Sequence, residues 1–460
     1  MPSTHAVKPH AANPFVPLET TRIAWCGLGL LLCLIGARAN ASAFQLIEQN
    51  ASGLGNSYAG SAAIAQNAST IYYNPAGMTR LPGVNLSAGT TAIVTKFNFS
   101  NDGSTGPSNL PLGSNNGGNA GGTAFLPNFY ASWQLSPDWF AGVGVGAPFG
   151  LSTDYDSNWI GRYQSTRFDI QSVNINPSLA YKVTPELSLG AGLDWLYANA
   201  DYQRNVPAAG LIAKIPAGLP GLQRQLLASQ LLTSPDMNAR ARLYGNAWGW
   251  NLGALYQATA RTRIGLAYRS QIHMPLTGTT TLANIPAPFA AAMPASVDNG
   301  ASVTLPDTAT LSVVHDLDAR WQLLADLAWT GWSRLPELKI DNGALGEDTV
   351  KLGFRNTWRI ALGANYRIDG HWTLRSGVSY DQTPIPNSAM RPPALPDNDR
   401  ISVALGAQYR FSQHTTLDVG YEHLFFHSRI DNGLDPAKGT VSGSFDTAAD
   451  LIGVQVSYRF

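Results

Sequence analysis

The residues in this 460-residue chain that could do chemistry stand in no catalytic pattern. The eight histidines give no H-E-x-x-H or comparable zinc spacing. No G-x-S-x-G turn presents a serine nucleophile. Gly142, Gly144 and Gly146 alternate as G-x-G-x-G, but no helix or acidic ribose ligand follows, so they do not read as a nucleotide cradle. They lie on one face of a strand that ends in Pro148. Such a stripe leaves space for something to approach the strand closely, or marks a break in it. Arg359, Arg367, Arg375 and Arg410 alternate with apolar residues and share an inward face. They read as charges solvated in an enclosed interior or, for Arg359 and Arg375, as partners for a ligand carboxylate. In the stretch 205–241, Leu219, Leu222, Leu226, Leu227 and Leu231 suit one face of a short helix. In 275–300, Ile285, Phe289 and Met293 are four apart, and Pro286, Pro288 and Pro294 limit any helix to about two turns. These stretches either pack on each other or form an exposed apolar groove with Leu222, Leu226, Leu227 and Phe289 as contacts. The pattern predicts binding rather than catalysis: no enzyme activity, no metal and no cofactor.

The elements that must carry these residues are strands. From Asp450 to Phe460, Ile452, Val454, Val456, Tyr458 and Phe460 share one face, with Gly453, Gln455, Ser457 and Arg459 on the other. Apolar-out and polar-in over about 10 residues is the pattern of a transmembrane β-strand. Trp358–Ile368 and Ile401–Phe411 repeat it. Fourteen such strands are counted, among them 139–149 as the third and 446–460 as the last. Short turns such as Ser136-Pro137-Asp138 and Asp369-Gly370 alternate with long connections, and Trp133, Trp139, Tyr181, Trp321 and Trp372 cluster beside the short ones. Backbone groups in lipid must be paired internally, so only helices or closed barrels span a bilayer. The fold class is therefore all-β: a 14-stranded antiparallel transmembrane β-barrel, with short turns in the periplasm and long loops outside. The terminal Phe460, two residues after Tyr458, is similar to the signal read by barrel-assembly machinery. Lipid and lipopolysaccharide are the surroundings expected of it.

Two segments precede the barrel. Residues 1–41 read as a signal peptide, with Lys8 and Arg22 ahead of the apolar run Ile23–Gly36 and A-x-A sites at Ala39-Asn40-Ala41 and Ala41-Ser42-Ala43. Cys26 and Cys33 both fall within it, so the mature chain would hold no cysteine. Its removal leaves 27 basic and 29 acidic residues, a net of −2, which gives no reason to expect nucleic acid. Residues 42–82 are rich in Gly, Ala, Ser and Asn and end at Asn74-Pro75-Ala76. A compact segment ahead of a barrel has its natural place in the lumen, so it reads as a plug, with 83–460 as the barrel.

Phe44-Gln45-Leu46, Ser52-Gly53-Leu54-Gly55, Tyr58-Ala59-Gly60 and Asn74-Pro75-Ala76, in that order, resemble the FadL family of outer-membrane transporters. Ala147–Ser152 and Trp159–Tyr163 look like further segments of it. The resemblance implies passive, ligand-gated uptake of hydrophobic compounds, long-chain fatty acids first, by a monomeric barrel. The ligand would meet an apolar groove between two loops, then a deeper pocket, and leave sideways through a kink in strand three. Phe44 would line the pocket, Asn74, Pro75 and Ala76 would hold the plug, and Gly142, Gly144 and Gly146 would lie near the wall opening. An aromatic-hydrocarbon channel of the same family and a general diffusion porin are the alternatives.

Overall fold

The computed structural model describes residues 43–460, so the leader expected over 1–41 lies outside the described residues. The wall begins with β1 (Val84–Asn101), β2 (Thr123–Gln134), β3 (Trp139–Gly146), β4 (Gly150–Asp154), β5 (Arg167–Lys182), β6 (Leu187–Val206) and β7 (Met237–Gln257). It continues through β8 (Thr262–Arg269), β9 (Ile272–Ala283), β10 (Ser296–Leu305), β11 (Thr308–Asp316), β12 (Trp321–Thr330) and β13 (Glu337–Asp341). It ends with β14 (Glu347–Lys351), β15 (Thr357–Arg367), β16 (Trp372–Asp381), β17 (Arg400–Arg410), β18 (Thr415–Asn432) and β19 (Val441–Arg459). The first strand pairs the last, from Asn85 opposite Arg459 to Asn101 opposite Gly443, which closes the ring. Five wall positions hold two segments each, because β3 and β4 both pair β5, and β8 and β9 both pair β7. The same holds for β10 with β11, β12 with β13 and β14 with β15, so nineteen segments make a closed 14-stranded antiparallel barrel.

The strand pattern read from hydropathy is the observed one. Ile452, Val454, Val456 and Tyr458 point outward, while Gly453 and Gln455 are buried inside. Ring pairs mark the short-turn end: Trp139 with Tyr181, Trp321 with Tyr366 and Trp372 with Tyr409, each 4.7 Å between centroids. A second aromatic band lies eight residues along, with Trp248 above Tyr256, Trp329 above Trp321, Trp358 above Tyr366 and Tyr380 above Trp372. Eight tilted residues at about 3.3 Å each span roughly 20 Å, close to the apolar band of an outer-membrane barrel.

Two expectations change. The third strand, expected over 139–149 with its glycine stripe read as space or as a break, is interrupted at Ala147–Phe149 and resumes to Asp154, while the strands expected unbroken over 301–315 and 320–334 are interrupted after Leu305 and after Thr330. Several strands also run on beyond their expected ends, β18 to Asn432 and β19 from Val441. Above the membrane the outward face no longer needs to be apolar, so alternation fades while the antiparallel ladder continues.

Residues 43–82 pack against the inner face of this wall. They form α1 (Ala51–Leu54), α2 (Ser61–Ile64), α3 (Thr70–Tyr73) and a 3-10 turn over Pro75–Arg80. The first helix meets β17, β18 and β19, the second β7, β8 and β11, and the third β3 and β5. Small residues make this approach possible. A Cβ on Gly377 would overlap the Asn56 carbonyl group, and one on Gly190 would overlap the Ala76 amide. Both obstacles are backbone, so neither can swing away. Gly377→Val should leave barrel assembly intact, read as heat-modifiable migration, but expel the N-terminal segment and raise single-channel conductance. Wild-type conductance in an assembled Gly377→Val barrel would show that the wall glycines do not seat the segment.

Candidate functional site: two cavities divided by the N-terminal segment

The break in strand three is bridged by the N-terminal segment. Below it, β2 pairs β3 from Phe129 opposite Val145 to Gln134 opposite Phe140. Above it the two walls meet again where the Asp154 amide donates to the Ala120 carbonyl at 3.0 Å. Between those points the partners come from residues 44–49. The Leu46 amide donates to the Pro148 carbonyl and the Gly150 amide to the Phe44 carbonyl, each at 2.8 Å. The Gln49 side chain accepts from the Ala147 amide at 3.0 Å and donates to the Ala147 carbonyl at 2.9 Å. Pro148 has no N–H to offer a ladder, which is why the strand yields here. Ser172 on β5 holds the other side, accepting from the Phe149 amide and donating to its carbonyl.

An apolar cavity lies beside Phe44. Its wall includes Phe149, Phe168, Met274, Leu305, Leu338 and Leu395, and no charged side chain among the described residues lines it. Phe44 meets Trp332 edge-on at 4.8 Å and Phe149 at 6.1 Å. A second cavity lies toward the short turns and is bordered by Gln45, Ile47 and Glu48. Its wall is charged: Arg269, Asp326, Arg359, Asp381, Arg400 and Glu422. Residues 44–48 are therefore the partition between an apolar chamber and a polar one.

The residues singled out in the sequence fall as follows. Phe44 borders the apolar cavity. Asn74 donates to the carbonyls of Ala62 at 2.6 Å and Ala254 at 2.9 Å, and accepts from the Ala76 amide at 3.0 Å. It ties the segment to β7 and caps the turn that Pro75 opens. Gly142, Gly144 and Gly146 do not line the cavity. A Cβ there would meet Ile71 and Met78, the Tyr130 ring and the Gln49 side chain respectively, so the stripe makes room for the segment, and the break follows it. Arg359 donates to the Ser57 carbonyl. Arg375 donates to the Ser52 carbonyl at 2.6 Å and pairs with Asp418 at 2.7 Å. Buried carbonyls without intrahelical partners need donors. These guanidiniums supply them, and Arg375 is thereby closed to a ligand carboxylate in this arrangement. Leu227 and Phe289 pack with Leu211, Leu231 and Met237 in a shared core of the two long loops, while Leu222 and Leu226 stand exposed on α4 (Gly221–Thr233). The four residues do not form one groove. Hydropathy gave no sign of Gln49, which mends the strand break, or of Trp332, which meets Phe44.

Glu48 is buried at the partition with one carboxylate oxygen unpartnered. Burial, then the Glu422 carboxylate, pushes its carboxyl up to about 7, against the pull of Arg400 and Arg359. The seated segment is thus favoured with Glu48 protonated. That contribution is fully present below the free value of 4.5 and lost as pH rises through about 7. It amounts to something on the order of 3 kcal/mol. Hydrogen exchange over residues 44–50, corrected for intrinsic rates, should accelerate across this window, and Glu48→Gln should flatten the response. An equal pH dependence in both proteins would sink the assignment.

Comparison with known proteins places this architecture. The family described as "Outer membrane protein transport protein (OMPP1/FadL/TodX)" matches residues 32–460. "Outer membrane protein P1" of Haemophilus influenzae is 34% identical over 420 residues, covering 86% of this chain and 89% of the relative. "Long-chain fatty acid transport protein" of an Escherichia coli O6:H1 strain is 30% identical over 469 residues, covering 96% of this chain and all of the relative (100%). The crystal structure of a Pseudomonas aeruginosa FadL homologue superposes with a TM-score of 0.80 at 25% identity, covering 91% of this chain and 100% of that one. The relatives are described as membrane and transport proteins, not enzymes. By the match along its length and the closed barrel, this chain belongs to the OMPP1/FadL/TodX family of outer-membrane transport proteins.

Proposed function

We propose that this protein takes up long-chain fatty acids across the outer membrane, with residues 42–82 as a plug and the strand-three break as a sideways exit. The observation that carries the reading is the apolar cavity beside Phe44, set against a break whose hydrogen bonds are supplied by that same stretch. An alkyl chain gains about 0.8 kcal/mol for each CH₂ buried in such a chamber. A smaller polar cavity adjoins it and shares Tyr202, Val350, Pro392 and Ala394. There Arg204 at 2.7 Å and Lys438 at 2.5 Å both pair with Asp348. Lys438 also lies 3.7 Å from Asp435, so the two cations are balanced by two carboxylates, and an anionic headgroup at the mouth of the uncharged chamber would compete with Asp435 for Lys438. Displacement of residues 44–49 empties the break, and the ligand leaves through it into the bilayer. The barrel acts as a monomer among lipopolysaccharide.

A neutral aromatic hydrocarbon is the second reading, favoured by a chamber wall that, among the described residues, carries no charged side chain. Uptake of labelled oleate and labelled toluene, by cells lacking their own transporter and expressing this protein, separates the two. Oleate uptake above the empty-vector control is expected. Toluene uptake alone would move the protein to the second reading, and no uptake of either by an assembled barrel would overturn both. Asn74→Ala, which frees the buried carbonyls of Ala62 and Ala254, should loosen the plug by about 1–3 kcal/mol and change the uptake rate at unchanged barrel content. An unaltered rate would count against the plug.

A further inference from the structure

The barrel wall has a second breach that reaches the same apolar cavity. The ladder between β10 and β13 holds only Gly300 opposite Asp341 and Ala301 opposite Ile340. The next pair down the wall is Thr308 with Thr330, between β11 and β12. Between these points six residues, 302–307, face nine, 331–339. The three surplus residues cannot stay in a flat ladder. They fold inward as the turn Trp332–Arg334, which places Trp332 against Phe44 at 4.8 Å and Phe354 at 5.7 Å. Ser302–Leu305 and Glu337–Lys339 are left unladdered along the facing edges.

The two sides of this breach differ in character. Inside, Val303, Leu305, Leu335 and Leu338 border the apolar cavity. Outside, Ser302, Glu337 and Lys339 are exposed; Ser302 hydrogen-bonds His273, and Lys339 pairs with Glu347 at 2.9 Å. The breach also lies just above Trp329 of the upper aromatic band, since Trp329 adjoins Thr330. It therefore meets the headgroup layer rather than hydrocarbon. Its lower end is fastened by one carboxylate. Asp307 accepts from Arg334 at 2.7 and 2.9 Å and from the Tyr268 hydroxyl at 2.9 Å, and its carbonyl accepts from the Gly331 amide.

We propose that the β10–β13 breach is a second side opening, an entrance for single-chain amphiphiles lying in the outer headgroup layer. The polar head stays among Ser302, Lys339 and the headgroups while the alkyl tail passes Leu338 and Val303 into the chamber. Phe44 touches the inward turn at Trp332 and the strand-three turn at Phe149, so one side chain closes both openings. A tail entering past Trp332 must displace Phe44, which loosens the segment that fills the exit.

This inference rests on uptake through the apolar cavity, and the test keeps the two apart. Ser302→Cys with Lys339→Cys, joined by oxidation or by a short bis-thiol reagent and scored by mass, closes the breach. The chain's own cysteines, Cys26 and Cys33, lie in the expected leader. Oleate uptake from donor vesicles should fall about threefold or more in the joined protein and return on reduction, or for the bis-thiol adduct stay low, as expected for a closed entry state. Uptake at the wild-type rate by the joined protein overturns the proposal. Where the bridge does not form, Asp307→Asn decides: with its fastening weakened, uptake should rise, and an unchanged rate overturns the proposal. Wild-type protein with no uptake above empty vector instead fails the transport reading itself.

Discussion

A strand wall facing lipid cannot leave backbone N–H and C=O groups unpaired, because no water reaches them there. The ring closes β1 on β19 for this reason, and any gap in the ladder must find its hydrogen bonds elsewhere. At Ala147–Phe149 they come from the Leu46 amide, the Phe44 carbonyl region, the Gln49 side chain and Ser172. Residues 44–49 thus complete the wall without belonging to it. They lie ahead of the first wall strand, so the proposed displacement would break no strand. A fixed side-chain repair would have made the same break permanent.

The hold on that segment is spread over contacts of different kinds. Asn74 reaches a carbonyl of β7, Arg359 and Arg375 donate to Ser57 and Ser52, and Asp326 accepts from the Gly60 amide at 2.8 Å and the Ser61 hydroxyl at 2.6 Å. The first helices are only four residues long, too short to satisfy their own termini. Charged groups on the inner wall answer their orphan carbonyls and amides. Small residues do the rest, since the Asn56 backbone lies where a Gly377 side chain would be. The lumen is consequently polar, and Arg359 and Arg375 are occupied by backbone carbonyls rather than standing in water.

The barrel was legible because alternation is a property of each strand alone. Ile452 to Phe460 repeats its pattern without reference to any neighbour, and the aromatic bands fix where the pattern begins and ends. The wall breaks were less legible. Pro148 marked one of them, but Pro306 and Gly331 fell inside strands expected to run unbroken over 301–315 and 320–334, while Pro336 and Gly353 read as residues of the loop 335–354. Whether a proline ends a strand or interrupts it depends on what the next segment pairs with, and pairing is not local. Site residues divide the same way. Phe44 and Asn74 could be picked from a motif, whereas Gln49 and Trp332 matter only through partners about 100 and 290 positions away in sequence, Ala147 and Phe44. Gly142, Gly144 and Gly146 were seen to face inward, but what they face is set by Ile71, Met78 and Gln49 on another part of the chain.

The arrangement of the two cavities also bears on direction. The chamber toward the outside is uncharged, and the one toward the periplasm is lined by Arg269, Asp326, Arg359, Asp381, Arg400 and Glu422. An alkyl chain moving straight down the barrel axis would exchange apolar contacts for that charged wall, losing about 0.8 kcal/mol for each CH₂ re-exposed to a polar surface. Moving sideways past Phe149 it meets side chains such as Phe125 and Ile175, which are exposed on the outer wall, and then hydrocarbon. The axial route is uphill for a hydrophobic ligand and the lateral one is level or downhill. A polar solute faces the opposite gradient and is stopped at the apolar chamber first. Under the proposed uptake, selectivity for hydrophobic compounds needs no energy source: it would follow from which chamber comes first and from displacement of the partition, residues 44–48.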